Sequence, residues 1–302
     1  MRHLTPLRYV EEVARAGSIR RAADTLAITA SALNRRILSL EEELGVPIFE
    51  RLPRGVRLNT AGEILLHHIR NQLSDMARVR SQIADLSGVR RGHVSIACAQ
   101  ALMPYFLPRQ IEAYRSEHPA VTFNVLVRDR EAAERALADY SADIALVFEP
   151  SRSAEFHTVM TIRQPVHCVM AKDHPLAAQE VVRLGECLNH PLALPAAPDG
   201  LRFLLQSVAS AAGAHLEPAV ESDSYEFLLN YAAAGGMISF QIPVGVPDAA
   251  ARPDLASRPV DPRDIPPSLL HMGQLRGRVL PIAAARFADL LTAAFAAGFD
   301  SV

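Results

Sequence analysis

Ser31, Asn34, Arg35 and Arg36 lie close together in a stretch whose leucines and isoleucine recur at helical spacing. An asparagine amide can pair with an adenine edge, and a guanidinium with guanine or a phosphate. Small hydrogen-bonding side chains near a helix start, with arginine one turn on, suit entry into a major groove. The plain alternative is an amphipathic surface helix. Charge favours the first reading. Residues 1–92 hold 15 Arg, no Lys and 10 acidic residues, a net +5, whereas the rest holds 16 basic and 23 acidic residues, a net −7. The overall −2 averages a basic head and an acidic body, and only the head is expected to meet phosphates.

Catalytic chemistry finds no comparable footing. The chain lacks G-x-S-x-G, H-E-x-x-H and G-x-x-x-x-G-K-[ST] strings and a dinucleotide-type glycine triplet at a strand end. No catalytic residue, metal or cofactor is expected. His67-His68 falls on a long helical stretch and the other histidines are scattered. Cys98, Cys168 and Cys187 are odd in number and widely spaced, fitting neither a disulfide framework nor a metal site. Cys98 and Cys168 sit in expected strands as buried, inert thiols; redox sensing through them is the rival reading. The N-terminus has no apolar signal region, and no run of about eighteen apolar residues occurs, so a cytoplasmic protein with no membrane partner is expected. A transport-associated solute-binding protein would need export.

The positioning elements follow from caps and periodicity. Thr5-Pro6 sets a capping hydroxyl before a proline, Leu7, Val10, Val13 and Ala14 follow at helical spacing, and Gly17 ends the helix. Ser18 opens a second helix, with Ala22, Ala23 and Leu26 as its apolar set. After a break at Ala27-Ile28, Thr29 caps a third helix running to about Glu43. Two short helices joined by a tight turn match a helix-turn-helix. In the third, Leu33, Ile37, Leu40 and Leu44 make one buried stripe. Ser31, Asn34, Arg35 and Leu38 point away from it, and Arg36 lies on its flank. Ile48–Arg51 and Val56–Leu58 flank Pro53-Arg54-Gly55 as a hairpin with an arginine tip, a wing. Thr60-Ala61-Gly62-Glu63 reads as a capping box opening a helix to about Leu86. Ile69, Met76 and Ile83 repeat every seven residues, as do Leu65, Val79 and Leu86 with Gln72 interrupting. This seam serves either a dimer or packing on its own chain. Ser87-Gly88 ends the helix, and Arg90-Arg91-Gly92 reads as a hinge.

These residues carry a resemblance. Leu7-Arg8-Tyr9-Val10, Gly17-Ser18-Ile19 with Ala22-Ala23 and Leu26, Ser31 to Ile37, Leu40 to Arg51 and Leu58 to Glu63 together resemble the LysR-type transcriptional regulators. The resemblance implies that Ser18 to Ile37 is the helix-turn-helix. The DNA-binding candidates are then Ser18, Arg20, Arg21, Thr29, Ala30, Ser31, Asn34, Arg35, Arg36, Arg54 and Arg57. Two positions depart from the family's usual residues, with Ala30 in place of Gln and Asn34 in place of Ser. One amide contact to DNA is lost and a different base reader gained, so the operator preference should differ.

From His93 onward, strands alternate with helices. Strands are expected at Val94–Ala99, Val121–Val127 and Ile144–Phe148, with helices at Tyr105–Glu117 and Glu131–Asp139. A second cycle runs through Val166–Met170, Leu192–Leu194, Arg202–Ala212, Val220–Ser222, Tyr225–Ala233 and Met237–Phe240. A strand at Leu269–Gln274 and a helix from about Pro281 to Ala296 close the chain. Such alternation predicts parallel-rich sheets with covered faces. Glu149–Glu155 and Asp248–Pro267 read as connections. This part resembles the family's effector domain, itself similar to periplasmic solute-binding proteins. The expected fold is α+β multidomain: a winged helix-turn-helix (1–60), a dimerisation linker helix (61–89) and a two-lobed α/β effector domain (92–302). Lobe I would take 92–162 and 267–302, and lobe II 163–266. Ligands of such sheets bind at strand C-termini, which selects Ala99, Gln100, Ala101, Asp199, Arg202 and Ser222 from about Ala99–Leu102, Pro198–Arg202 and Ser222-Asp223, with Phe148 at the end of its own strand. The family often has Ser or Thr around Ala99 and Gln100. Arg202 reads either as a bidentate partner for an anionic effector or as a surface arginine at a helix start. The expected protein binds double-stranded promoter or operator DNA, responds to a small-molecule effector and self-associates as a dimer or dimer of dimers.

Overall fold

The computed structural model describes residues 4–86, 91–148, 153–197 and 199–299. The chain divides into two compact units, Met1–Ser87 and Gly88–Val302.

The first unit opens with α1 (Thr5–Ala16), α2 (Ile19–Thr25) and α3 (Ala30–Leu44). Thr5 does not cap α1: it lies inside the helix, and Leu4 occupies the cap position with no side-chain bond. Pro6 needs no N–H in the first turn, which lets the helix start one residue early. Ser18 and Thr29 do cap α2 and α3, accepting from the Arg21 and Ala32 N–H groups at 3.4 and 3.2 Å. The turn between them passes through Ala27 in the left-handed region, φ 53°. Tyr9, Val10, Val13, Ala22, Ala23, Leu33 and Ile37 close one core with Ile48 and Ile69. Leu44, expected in the buried stripe, is 43% exposed, because α3 ends there at Gly45 in the left-handed conformation.

The wing is β1 (Phe49–Leu52) paired antiparallel with β2 (Gly55–Leu58). Gly55 sits at φ 140°, and a Cβ there would collide with the Gly17 carbonyl oxygen, the acceptor of the Val56 N–H. The wing therefore docks on the turn between α1 and α2, and only glycine permits that approach. Next comes α4 (Thr60–Leu86). Asn59, rather than Thr60, caps it. Its Oδ1 accepts from the Gly62 N–H at 2.9 Å, while its amide nitrogen donates to the Pro47 carbonyl at 2.9 Å. That second bond fixes Asn59 at the helix start. The heptad seam divides in two: Leu65 and Ile69 pack into the unit's own core, whereas Val79 and Ile83 are 37% and 56% exposed. The expected helix end at Ser87-Gly88 and Arg90 of the hinge lie outside the described residues.

The second unit holds two five-stranded sheets. One has the order β4-β3-β5-β12-β6, from β3 (Gly92–Cys98), β4 (Val121–Val127), β5 (Ile144–Phe148), β6 (Phe156–Gln164) and β12 (Ser268–Leu275). Helices α5 (Phe106–Glu117), α6 (Arg130–Ala138) and α10 (Ile282–Gly298) cover it. The other has the order β11-β7-β10-β8-β9, from β7 (His167–Ala171), β8 (Leu192–Pro195), β9 (Pro218–Ser222), β10 (Ile238–Gln241) and β11 (Leu255–Pro259). With it go α7 (Leu184–Cys187), α8 (Gly200–Ala211) and α9 (Tyr225–Ala233). Both sheets are mixed. Between the strands of the two sheets, β3 pairs parallel with β4 and β5, and β8 with β9 and β10, while the other strand pairs are antiparallel.

Two strands were not expected from sequence. β6 is polar along much of its length, and β11 lies inside Asp248–Pro267, read as a connection. Both pair at or near sheet edges, where half the backbone is satisfied by one neighbour and apolar periodicity is weak. Gly92 belongs to β3, not to a hinge, and pairs with Val121; a Cβ on it would strike the Ala283 methyl. Lobe I runs on through Gln164 and also takes Ile242 and Val244 into its core. Glu149–Arg152 of the other expected connection lies outside the described residues.

Candidate nucleic-acid interface and effector cleft

On α3, the side opposite Leu33 and Ile37 exposes Ser31, Arg35 and Leu38, the last at 38%. Ala30 and Thr29 are also exposed at the helix start. Asn34 is half-buried, and its Oδ1 accepts from Arg51 Nη2 at 3.2 Å, so a wing arginine orients the amide. Arg36 leans back onto α1: its Nη1 donates to the Tyr9 hydroxyl at 3.2 Å and its guanidinium lies 5.1 Å from the ring centroid. Arg21 donates to the Ala16 carbonyl, and Arg57 pairs with Glu50 across the hairpin at 2.6 Å. The side chains of Arg20, Arg35 and Arg54 form no hydrogen bond or ion pair among the described residues.

Glu41 is the residue that sequence reading missed. One of its carboxylate oxygens accepts from both the Ile48 and Phe49 N–H groups, at 2.8 and 3.2 Å, which ties α3 to the first wing strand. Its only sequence signal is an acid amid the acidic run that ends α3, indistinguishable there from the exposed Glu42 and Glu43.

In the second unit, the expected ligand residues gather at the C-terminal ends of the parallel strands. Ala99, Gln100 and Ala101 follow β3 in a single 3-10 turn, Phe148 ends β5, Ser222 ends β9, and Asp199 caps α8. The 3-10 turn after β10, Pro243–Gly245, contacts the turn after β3, so the ends of the two sheets face each other. Gln164 of β6 joins them as well, accepting from the Val244 N–H at 3.0 Å. Gln241 is fully buried at the end of β10, and its Nε2 has no partner among the described residues.

Two expected ligands are already engaged. Asp199 accepts from the Arg202 N–H at 2.9 Å and from the Tyr225 hydroxyl at 3.0 Å on each oxygen. Burial, then the Asp199 charge, pushes the Tyr225 phenol well above its ordinary range. The Arg202 side chain is only 11% exposed, and its Nη1 lies 2.9 Å from Glu221 Oε1, an ion pair by proximity without an aligned hydrogen bond. It is not the surface arginine of the alternative reading. Gln100 is half-buried with no side-chain bond among the described residues. Pro198 lies outside them.

The thiols are buried, as expected, but not all isolated. Burial pushes Cys98 up to about 12. Cys168 and Cys187, nineteen positions apart, meet in the lobe II core, where donation from Cys187 lowers Cys168 and raises Cys187 itself. All three are free. Among the described residues no cluster of potential metal ligands occurs, and no helix is long and apolar enough to cross a membrane.

Comparison with known proteins bears on both units. Residues 4–63 match the bacterial regulatory helix-turn-helix of the lysR family, and residues 87–296 match the LysR substrate binding domain. The RuBisCO operon transcriptional regulator of Allochromatium vinosum is 29% identical over 210 residues, 70% of this chain and 69% of that one. The HTH-type transcriptional activator CmpR of Synechocystis is 24% identical over 225 residues, covering 74% and 73%. A solved full-length OxyR variant from Pseudomonas aeruginosa shares the fold with a TM-score of 0.71 at 21% identity, covering 97% of this chain and 94% of that chain. The first two relatives are a transcriptional regulator and a transcriptional activator. With both of its units matched, one by a DNA-binding helix-turn-helix and the other by an effector-binding domain, the chain belongs to the LysR family of transcriptional regulators.

Proposed function

We propose that α3 enters the major groove of a promoter or operator with Ser31 and Arg35 at base edges and Asn34, braced by Arg51, beside them. Thr29 and Ala30 approach the backbone at the helix start, and Ser18, Arg20 and Arg21 present the start of α2 to a phosphate. Arg54 and Arg57 hold the minor groove or backbone from the wing. Arg36 reaches a phosphate only by leaving Tyr9. The observation that carries this reading is Arg35, exposed and without a side-chain partner among the described residues, on the outer face of α3. The exposed half of the α4 seam, Val79 and Ile83, supports pairing with a second copy, which sets two recognition helices at a fixed spacing on a palindromic site. A dimer of dimers extends the same logic.

The effector is a small anion held between the strand ends of the two lobes. Gln100 and the N–H groups of Ala99, Gln100 and Ala101 contact it, Phe148 gives an apolar wall, and the Ser222 hydroxyl donates from the other lobe. Asp199 positions α8 and Tyr225, and Arg202 reaches the anion by exchanging Glu221 for it. The protein acts in the cytoplasm and binds its effector without turning it over. Binding is tested by fluorescence anisotropy on fragments from upstream of the neighbouring genes, with an unrelated duplex as competitor. Retention of a specific complex in Arg35→Ala at unchanged affinity refutes the assignment of α3. An effector identified by screening small acids should lose affinity in Gln100→Ala, and turnover of that effector refutes the non-catalytic reading.

A further inference from the structure

Lys172 is the sole lysine among the chain's 31 basic residues. It follows β7 and lines a cavity of about 470 Å³ that none of the cleft residues touches. The floor is Val169, Leu255, Ser257 and their neighbours on β7 and β11, and the roof is the segment from Val246 to Pro253. Three lining side chains are cationic, Lys172, Arg252 and Arg258, and none is acidic. The volume falls within the range of small-molecule pockets.

The cations differ in how far they are compensated. Arg252 is held by Asp254 through two bonds of 3.0 and 2.7 Å and by the Asn230 carbonyl oxygen at 2.8 Å. Arg258 donates only to the Ser257 backbone oxygen, at 2.8 Å, and Lys172 has no side-chain partner among the described residues. Exposed Lys172 and half-buried Arg258 thus face a partly apolar hollow with no acidic side chain among its described lining residues, an arrangement that favours an entering anion. The roof also connects the lobes. Asp248 pairs with Arg109 of α5 at 3.0 Å.

We propose that this cavity is a second ligand site, separate from the cleft, which takes a small organic anion, a phosphate or carboxylate on an apolar body. Lys172 and Arg258 supply the charge, and Val246, Pro247 and Pro253 the apolar wall. A ligand there acts on the segment that anchors lobe II to α5, so it influences the angle between the lobes.

A single lysine makes the site directly observable. Reductive ¹³C-methylation of the full-length protein keeps the ammonium charge and gives one Lys172 signal beside that of the α-amine. The labelled protein is titrated with phenyl phosphate and, separately, hexanoate, each against chloride at matched ionic strength. A saturable shift of the Lys172 signal with phenyl phosphate, hexanoate or both is expected, while the α-amine signal follows the chloride control; which probe saturates assigns phosphate or carboxylate. Arg258→Gln should raise the half-saturating concentration at least about tenfold, and Gln100→Ala should leave it unchanged. A shift that grows linearly and equals that of chloride overturns the proposal in the wild-type protein alone. Loss of the shift in Gln100→Ala would place the probe in the cleft and equally overturn it, without touching the cleft assignment.

Discussion

Replacing Glu41 by Ala removes the one acceptor shared by the Ile48 and Phe49 N–H groups. Ile48 is 1% exposed, so its N–H would be left without protein or solvent, at about 1–3 kcal/mol. Phe49 is half-buried and water reaches it more readily, so the two together cost about 2–4 kcal/mol. Glu41→Gln keeps an oxygen acceptor and loses only the charge, and should cost about 1 kcal/mol. The direct assay is amide hydrogen exchange in the full-length protein. Exchange at Ile48 and Phe49 should rise about 30- to 700-fold in Glu41→Ala, at tenfold per 1.4 kcal/mol, and much less in Glu41→Gln. Glu43→Ala, on the exposed side of the same run, is the control. Operator affinity should fall with the exchange protection, because the wing then no longer holds a fixed place beside α3. Unchanged exchange at Ile48 and Phe49 in Glu41→Ala would refute the view that this carboxylate fixes the wing.

Arg35→Ala should weaken operator binding by about 1–3 kcal/mol if the side chain makes a bidentate base contact; a phosphate contact would instead appear as a lower salt slope, uniform across sequences. Arg278 and Asp143, 6% and 9% exposed and 2.7 Å apart, join β5 to the end of β12. Arg278→Ala leaves Asp143 buried and uncompensated and should cost the second unit about 3–5 kcal/mol in urea unfolding, whereas the double replacement by Met and Asn should recover most of it. His167 is held by Ser257 at 2.9 Å, and burial pushes it down to about 4 from the ordinary 6.5. The unfolded chain takes up that proton first. Stability should therefore be flat above pH 6.5, fall by about 3 kcal/mol between pH 6.5 and 4, and level off below. His167→Asn should flatten that segment of the stability–pH curve, and an unchanged slope would assign the acid sensitivity elsewhere.

Local signals carried the reading a long way. Caps at Ser18 and Thr29, the stripe of Leu33 and Ile37 and the Pro53-Arg54-Gly55 tip are properties of neighbouring residues, and so the winged helix-turn-helix could be read directly. The alternation of strands and helices likewise exposed the α/β character of the second unit. The two weakly patterned strands, β6 and β11, escaped because their partners in the sheet lie far along the chain.

What a side chain does once the chain folds was another matter. Sequence offered Arg35, Arg36 and Arg57 all as DNA contacts, Arg35 on the outward face and Arg36 on its flank; folding left Arg35 open, turned Arg36 onto Tyr9 and paired Arg57 with Glu50. It made Asn59 the cap of α4 and engaged Arg202 with Glu221. It also brought Cys168 to Cys187, and gathered Lys172, Arg252 and Arg258 round one hollow. The amino-acid sequence by itself determined most of the elements, β6 and β11 apart, and which family the chain joins, because helix caps, periodicity and turn residues act within a few positions. The tertiary structure alone decided which charges are neutralised and which remain for a ligand, because a hydrogen bond or ion pair depends on distances of about 3 Å between groups that the sequence places anywhere along its length.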